Sequence, residues 1–379
     1  MALAGETGEA LAEAAGGSTA AAAPGPQGVV RADNLGSFLR PAYLLEAVAA
    51  GASGAELRAI QDRAIEEVLT LQLQLGLRIV TDGEFRRKHF FSTLDDVVEG
   101  LDPEGFVRHH RDRDGTPAEV RTPAPVGRLR RTAHLADVEY DFVAARAGRP
   151  VKVTIPSPSL LALYWTAEAS GRAYPTREEY RAHLVELMRD DALELARRGV
   201  AQIQLDAPHY AYLQEVLAGV DDRDAKLREL VEVDNAVLRD CAGVTRCLHI
   251  CRGNMRGRFT GTEPYDGFAH AILPYAEYER VLLEYDDERS GGFAPLRHLR
   301  PDAVAVLGLV TTKRGELEAA DELRARIDEA SRHVPLERLA LSTQCGFASN
   351  ALGNEISEPE QRAKLELVIG VARDVWGSA

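Results

Sequence analysis

One repeated pattern constrains what this chain can fold into more than anything else in it. From residue 29 onward, short apolar runs alternate with stretches of helical periodicity, and the runs fall at residues 29–38, 78–84, 151–155, 201–206, 244–251, 281–284, 303–310 and 339–342. Several helical stretches announce their first turn: Ser53-x-x-Glu56, Thr176-x-x-Glu179 and Ser357-x-x-Glu360 each carry the capping-box spacing. A helix between consecutive strands makes them parallel, because the crossover returns the chain to the end where it began. Eight such units predict an α/β fold, a (β/α)8 TIM barrel. The competing doubly wound sheet would carry a G-x-G-x-x-G turn after its first strand, and none is there.

One interval breaks the rhythm. Residues 103–150, rich in Arg, His, Gly and Pro, read as an excursion inserted after strand 2 with strands of its own, and His109 and His110 within it are expected to face solvent. Residues 1–28 are Ala/Gly/Glu-rich and lack both the basic start and the apolar core of a signal peptide. They are expected to be a disordered tail on a single barrel domain spanning 29–379. No window approaches the length and apolarity of a membrane span. The formal charge, 45 − 59 = −14, argues against nucleic acid and for small-molecule partners. Four cysteines in 379 residues form no disulfide framework and point to a reducing cytoplasm.

In a barrel of this kind the site is built where strands end. Polar residues close these apolar runs repeatedly: Ser37, Glu84, Asp206, His249 with Cys251, Glu284 and, just past the last strand, Cys345. Residues i and i+2 of a strand share a face, so the imidazole of His249 and the thiol of Cys251 can converge. Cys247 shares that face but lies further from the mouth. One His, two Cys and one Glu from three strands make a chemically sensible zinc shell. A purely structural zinc is usually closed by Cys and His alone; a carboxylate is the weakest donor of this set and the position a substrate could take.

These residues, in this order, resemble the C-terminal catalytic barrel of cobalamin-independent methionine synthase. The likeness runs over about residues 31–376 and rests on Gly36-Ser37, Thr81-Asp82-Gly83-Glu84, Gln204-Leu205-Asp206, His249-x-Cys251, Glu284 and Cys345. The stretches Leu283-Glu284-Tyr285-Asp286-Asp287-Glu288-Arg289-Ser290 and Thr343-Gln344-Cys345-Gly346-Phe347 are those of its short, single-barrel relatives. Epoxyalkane:coenzyme M transferase (2-hydroxypropyl-CoM lyase) is similar in its His-x-Cys and later Cys. The resemblance implies zinc on His249, Cys251, Glu284 and Cys345. It also implies homocysteine held by Glu84 and Asp206 at its ammonium and by backbone near Ser37 at its carboxylate, with Tyr164 and Trp165 near the ring of a methyl-folate-type donor.

Two departures stand out. Ala207 follows Asp206 where the family has an acid, and the family's proton-donating His is replaced near Thr311-Thr312-Lys313, which leaves Lys313 as the candidate donor. Arg86, Arg87 and Arg252 are candidates for an anion clamp, with ordinary surface pairs as their alternative role, and Asp286 and Asp287 are expected to orient the ligands from behind. The implied activity is zinc-dependent S-methylation of homocysteine to methionine. The alternatives are alkyl transfer to another thiol, such as coenzyme M, and a non-catalytic zinc barrel. A pair of carboxylates suits an ammonium better than a sulfonate, which favours homocysteine.

Overall fold

Nine strands organise the chain in the computed structural model, which describes residues 29–111, 117–217, 221–254, 261, 263–351 and 353–379. They are β1 (Ala32–Asp33), β2 (Val98–Arg111), β3 (Pro117–Arg131), β4 (Lys152–Pro156), β5 (Gln202–Asp206), β6 (Thr245–Ile250), β7 (Arg280–Glu284), β8 (Val304–Val310) and β9 (Leu339–Thr343). Seven form one sheet in the order β1-β9-β8-β7-β6-β5-β4, and every pairing in it is parallel. The sheet curls into a TIM-like barrel with helices such as Gly54–Leu75, Arg177–Arg197, Arg223–Leu238 and Glu358–Trp376 between or after its strands. The last of these is opened by a complete capping box from Ser357 and Glu360. Residues 1–28 and the side chains of His109 and His110 lie outside the described residues.

The predicted strand at 78–84 does not form a ladder. It makes one parallel bridge, Val80 to Val151, at the β4 edge. Gln72, on the preceding helix, takes both backbone groups of Thr81: its Oε1 accepts from Thr81 N at 3.0 Å and its Nε2 donates to Thr81 O at 2.8 Å. Gly83 (φ 72°) and Glu84 (φ 60°) then turn the chain into the left-handed region, which ends any extension. Toward β1, the contacts run through Thr81 Oγ1 to Gly36 O at 2.7 Å and Phe38 N to Gly83 O at 3.2 Å. The first strand is also shorter than predicted, so Ser37 sits in a loop four residues past its end.

Between this segment and β4, the chain forms the antiparallel hairpin β2–β3, paired from Val98–Arg131 outward to Arg111–Pro117 with two register shifts. The hairpin begins ahead of residue 103. Its return leads into the helix Asp141–Ala147.

The barrel interior is layered. At the N-terminal ends of β4 and β7, Lys152 Nζ contacts Asp33 Oδ1 at 2.5 Å and Arg280 Nη2 contacts Asp33 Oδ2 at 2.8 Å, all buried. Burial opposes the Asp33 charge, but the two cations overcome it and hold its carboxyl below the usual range. An apolar layer of Leu35, Cys247, Leu282, Val306 and Ala340 covers this plug. Above it the strand ends open onto the site.

Candidate metal centre

Inward positions repeat every second residue, so β6 presents Cys247 in the apolar layer and His249 above it, with Cys251 just past the strand end. Glu284 is the last residue of β7, and Cys345 lies two residues past the last of β9. These four side chains offer ligand atoms that all lie within 4.8 Å of one another. Cys251 Sγ is 3.7 Å from Cys345 Sγ, and His249 Nε2 is 3.8 Å from Glu284 Oε1. Cys247 points elsewhere: its thiol faces Gln202 Oε1 at 3.6 Å, and burial pushes it up to about 12.

The cluster contains three buried polar atoms with no hydrogen-bond partner: His249 Nε2 and both oxygens of Glu284. Buried polar groups are rarely left so, because each forfeits its hydration without replacement. Here they gather at one point, and a cation would satisfy all three. The imidazole is prepared for that role. Its Nδ1 lies 3.0 Å from Asp206 Oδ1, a contact that anchors that side of the ring and leaves Nε2 facing the cluster. Burial alone would lower the His249 pKa, but the Asp206 hydrogen bond and the nearby Glu284 carboxylate push it up to about 10. The site therefore favours positive charge at Nε2, whether proton or metal. The neighbouring Cys345 thiol and burial hold Cys251 well above its ordinary value, so a metal would have to displace its proton. Gly253 N donates to Cys251 Sγ at 3.2 Å.

Two of the predicted substrate residues touch this cluster: Asp206 bonds His249, and Ser37 packs on the Cys345 turn. Glu84 is fully buried; Thr154 Oγ1 donates to its Oε1 at 2.7 Å and Asp82 Oδ1 accepts from its backbone N at 2.8 Å. Burial pushes its carboxyl up to about 7, with the Asp206 charge adding to the rise and Arg87 opposing it. A Cβ on Gly36 would fall 2.7 Å from Glu84 Oε1, which is why a glycine at φ 119° precedes Ser37. Ser37 packs on the Cys345 turn: its carbonyl accepts from Phe347 N at 2.9 Å, and a Cβ on Gly346 would lie 2.0 Å from its Oγ. Asp206 Oδ1 accepts from Gln204 Nε2 at 2.9 Å as well as from His249. Lys313 Nζ pairs with Asp286 Oδ2 at 2.7 Å, and its charge helps lower the Glu284 pKa against burial.

Other expectations fare differently. Tyr164 packs edge-on against Phe91 at 5.5 Å, and the indole N–H of Trp165 donates to Tyr174 O at 2.9 Å. Asp286 holds Lys313 and Asp287 pairs with Arg289, so neither carboxylate backs a ligand. None of the three arginines makes an ordinary surface pair, because all are buried: Arg86 pairs with Asp62 at 2.7 Å, Arg87 grips Glu139 through Nε and Nη2, and Arg252 donates to the Glu263 carbonyl at 2.9 Å. Residues without a sequence signal also matter. Asn254 Nδ2 reaches Thr312 Oγ1 and Gly346 O, both at 2.9 Å, and so ties the Cys251 loop to the Cys345 loop. The Tyr265 hydroxyl bridges β6 and β7 beside the ligands.

Comparisons with known proteins agree with this geometry. The family model described as the catalytic domain of cobalamin-independent synthase matches residues 40–373. The chain is 37% identical over 363 residues to the uncharacterized protein YxjH of Bacillus subtilis, covering 91% of this chain and 94% of that one. It is 25% identical over 349 residues to the 5-methyltetrahydropteroyltriglutamate-homocysteine methyltransferase of Mycolicibacterium paratuberculosis, a match that spans 90% of this chain and 42% of that longer one. A B12-independent methionine synthase from Shewanella sp. W3-18-1, solved in complex with selenomethionine, shares the fold with a TM-score of 0.74 at 21% identity, over 92% of this chain and 98% of that one. With a family model covering most of its length and a relative this similar from end to end, the chain belongs to the cobalamin-independent synthase family, a methionine synthase-like group of methyltransferases.

Proposed function

We propose that this protein is a zinc-dependent S-methyltransferase that converts homocysteine to methionine with a methyl-folate-type donor, and that His249, Cys251, Glu284 and Cys345 hold the zinc. The observation that carries the reading is the convergence of four ligand atoms within 4.8 Å, three of whose buried donor atoms have no other partner. Zinc bound there would supply the Lewis acidity that keeps a substrate thiol deprotonated at neutral pH. The remaining roles belong to the chain. Glu84 and Asp206 orient the substrate ammonium, whose arrival would draw the Glu84 carboxyl back down from about 7. Backbone near Ser37 takes the substrate carboxylate, Tyr164 and Trp165 lie toward the donor, and Lys313 is the candidate proton source. We read the sheet as a (β/α)8 barrel with 78–84 as its second stave and the excursion at about 103–150 inserted after it, in a cytoplasmic enzyme. Among the described residues no helix is long and apolar enough to cross a membrane.

One observation favours a second reading, alkyl transfer to a different thiol such as coenzyme M. Asp206 already receives hydrogen bonds from His249 and Gln204, which leaves less of the acidic pair free for an ammonium than the sequence implies. Titrating the zinc-loaded protein with homocysteine and with coenzyme M, followed by zinc X-ray absorption, separates the two. A new sulfur in the metal shell with homocysteine alone supports methionine synthesis. The same change with coenzyme M alone would promote the second reading, and a response to neither thiol would remove both.

A further inference from the structure

We infer that Tyr265 is a positioning residue for the metal centre: its hydroxyl is wedged between β6 and β7 and ties together the strand ends that carry His249, Cys251 and Glu284. The inference rests on the metal reading above. β6 and β7 run in register from Cys247–Arg280 to Ile250–Leu283 and stop there. In a continuing parallel ladder, the next amide of β7 would donate to a carbonyl of β6. At this level Glu284 N donates to Tyr265 Oη at 2.9 Å, and Tyr265 Oη donates to Ile250 O at 3.1 Å. One hydroxyl thus ties an amide of β7 to a carbonyl of β6 where the ligand-bearing ends of the two strands begin.

The wedge is rigidly held. Tyr265 is 1% exposed, with its ring against Phe268 at 5.4 Å and Tyr285 at 5.0 Å. Its single proton is committed to Ile250 O, so the oxygen can only accept from Glu284. Ile250 lies between His249 and Cys251, and the bridge thus fixes the main chain of three of the four ligands to one atom. Without it, the main chain at Glu284 and at Ile250 loses its common anchor, and the spacing of the ligands it sets is no longer fixed.

The test is zinc affinity by competition with a chromophoric chelator, on wild type, Tyr265→Phe and Tyr285→Phe. Tyr285 belongs to the same aromatic cluster, but its buried hydroxyl has no partner, so its removal controls for ring chemistry. Tyr265→Phe should weaken zinc binding about 10- to 100-fold, the scale seen when a group that orients a ligand is lost, while Tyr285→Phe stays within about twofold. The Co²⁺ absorption bands of Tyr265→Phe should shift as well. Equal affinity and spectra for Tyr265→Phe and wild type overturn the wedge and leave the metal reading standing. A wild type that binds neither zinc nor cobalt overturns both. Should Tyr265→Phe fail to fold, hydrogen exchange at the Glu284 amide in metal-free wild type decides: slow exchange is expected of a preset bridge, and exchange that becomes slow only on adding zinc overturns it.

Discussion

The two ends of this barrel bury charge in opposite ways. At the bottom, one carboxylate, Asp33, is shared by Lys152 and Arg280, with Asn34 O also accepting from Lys152 Nζ at 2.7 Å. At the top, a carboxylate, an imidazole and two thiols face one another, and three donor atoms have no partner. The lower cluster is fully buried and its carboxylate is matched by two cations, with Arg280 Nε its one buried atom left without a partner; the upper one, where Cys251 is partly buried, gathers its three unpartnered atoms at one point. Burial of a polar cluster thus says little about function until its hydrogen bonds are accounted for.

That contrast breaks most visibly at the ligands. Cys251→Ala or Cys345→Ala should take the protein from about one zinc per chain to well under a tenth, as read by metal analysis of purified protein. Cys247→Ala, one layer down, should retain the metal. Equal loss from all three would mean that the apolar layer and the site are not separate.

The lower cluster should fail differently. Lys152→Met leaves Asp33 buried with one cation instead of two, and removing a partner from a buried pair typically costs about 3–5 kcal/mol of stability. Denaturant unfolding should register that loss, with zinc per folded chain unchanged. Zinc loss without destabilisation would show that the plug reaches the site.

How much of this is legible in the sequence follows from the same contrast. The proposed ligand set is readable because barrel strands end at the site: His249, Cys251 and Glu284 close apolar runs, and Cys345 lies just past the last one. The second strand is only partly legible: Val80 keeps strand bonds to Pro150 O and from Lys152 N, while Thr81 gives both its backbone groups to Gln72, a helix residue nine positions away in sequence. Tyr265 is invisible in sequence, since no periodicity marks a residue of a short helical turn whose hydroxyl bridges two strands. Asp206 is visible as a polar strand end, but its bond to His249 depends on the β5–β6 register that sets the two side by side.

Two buried acids sharpen the comparison through pH. Asp33 is held below its ordinary value, whereas Glu84 is raised from about 4.5 to about 7. A depressed acid contributes stability that is present above its unfolded pKa and is lost as pH falls through its folded one. A raised acid contributes stability that is fully present below about 4.5 and is lost as pH rises through about 7. Relative to wild type, Glu84→Gln should therefore gain stability between pH 5 and 8, by up to roughly 3 kcal/mol given the full burial of the group. Asp33→Asn should show no such gain over that range. Parallel pH profiles for Glu84→Gln and wild type, measured by urea unfolding of the metal-free protein, would contradict the burial of an uncompensated carboxyl at the mouth.

The smallest effect discriminates most, because Asp206 stands in both halves of the upper site. Its Oδ1 holds the Nδ1 proton of His249, and its charge is felt by Glu84 across the space where an ammonium would sit. A residue that only binds substrate could be changed without touching the metal. One that also orients a ligand cannot. Asp206→Asn keeps the size of the side chain but removes its charge, and if the amide flips toward His249 it presents a donor to a donor. Zinc affinity should fall about 10-fold, the lower end of the range for such contacts, since the imidazole keeps its packing. Homocysteine binding at saturating zinc should fall as well, by about 30-fold if a desolvated charge pair is lost. The two measurements separate the roles. A fall in zinc affinity with homocysteine binding intact assigns Asp206 wholly to His249 and shifts the ammonium to Glu84. A fall in homocysteine binding alone makes the hydrogen bond to His249 incidental, and the imidazole would then be held by packing in β6 without help from its neighbour.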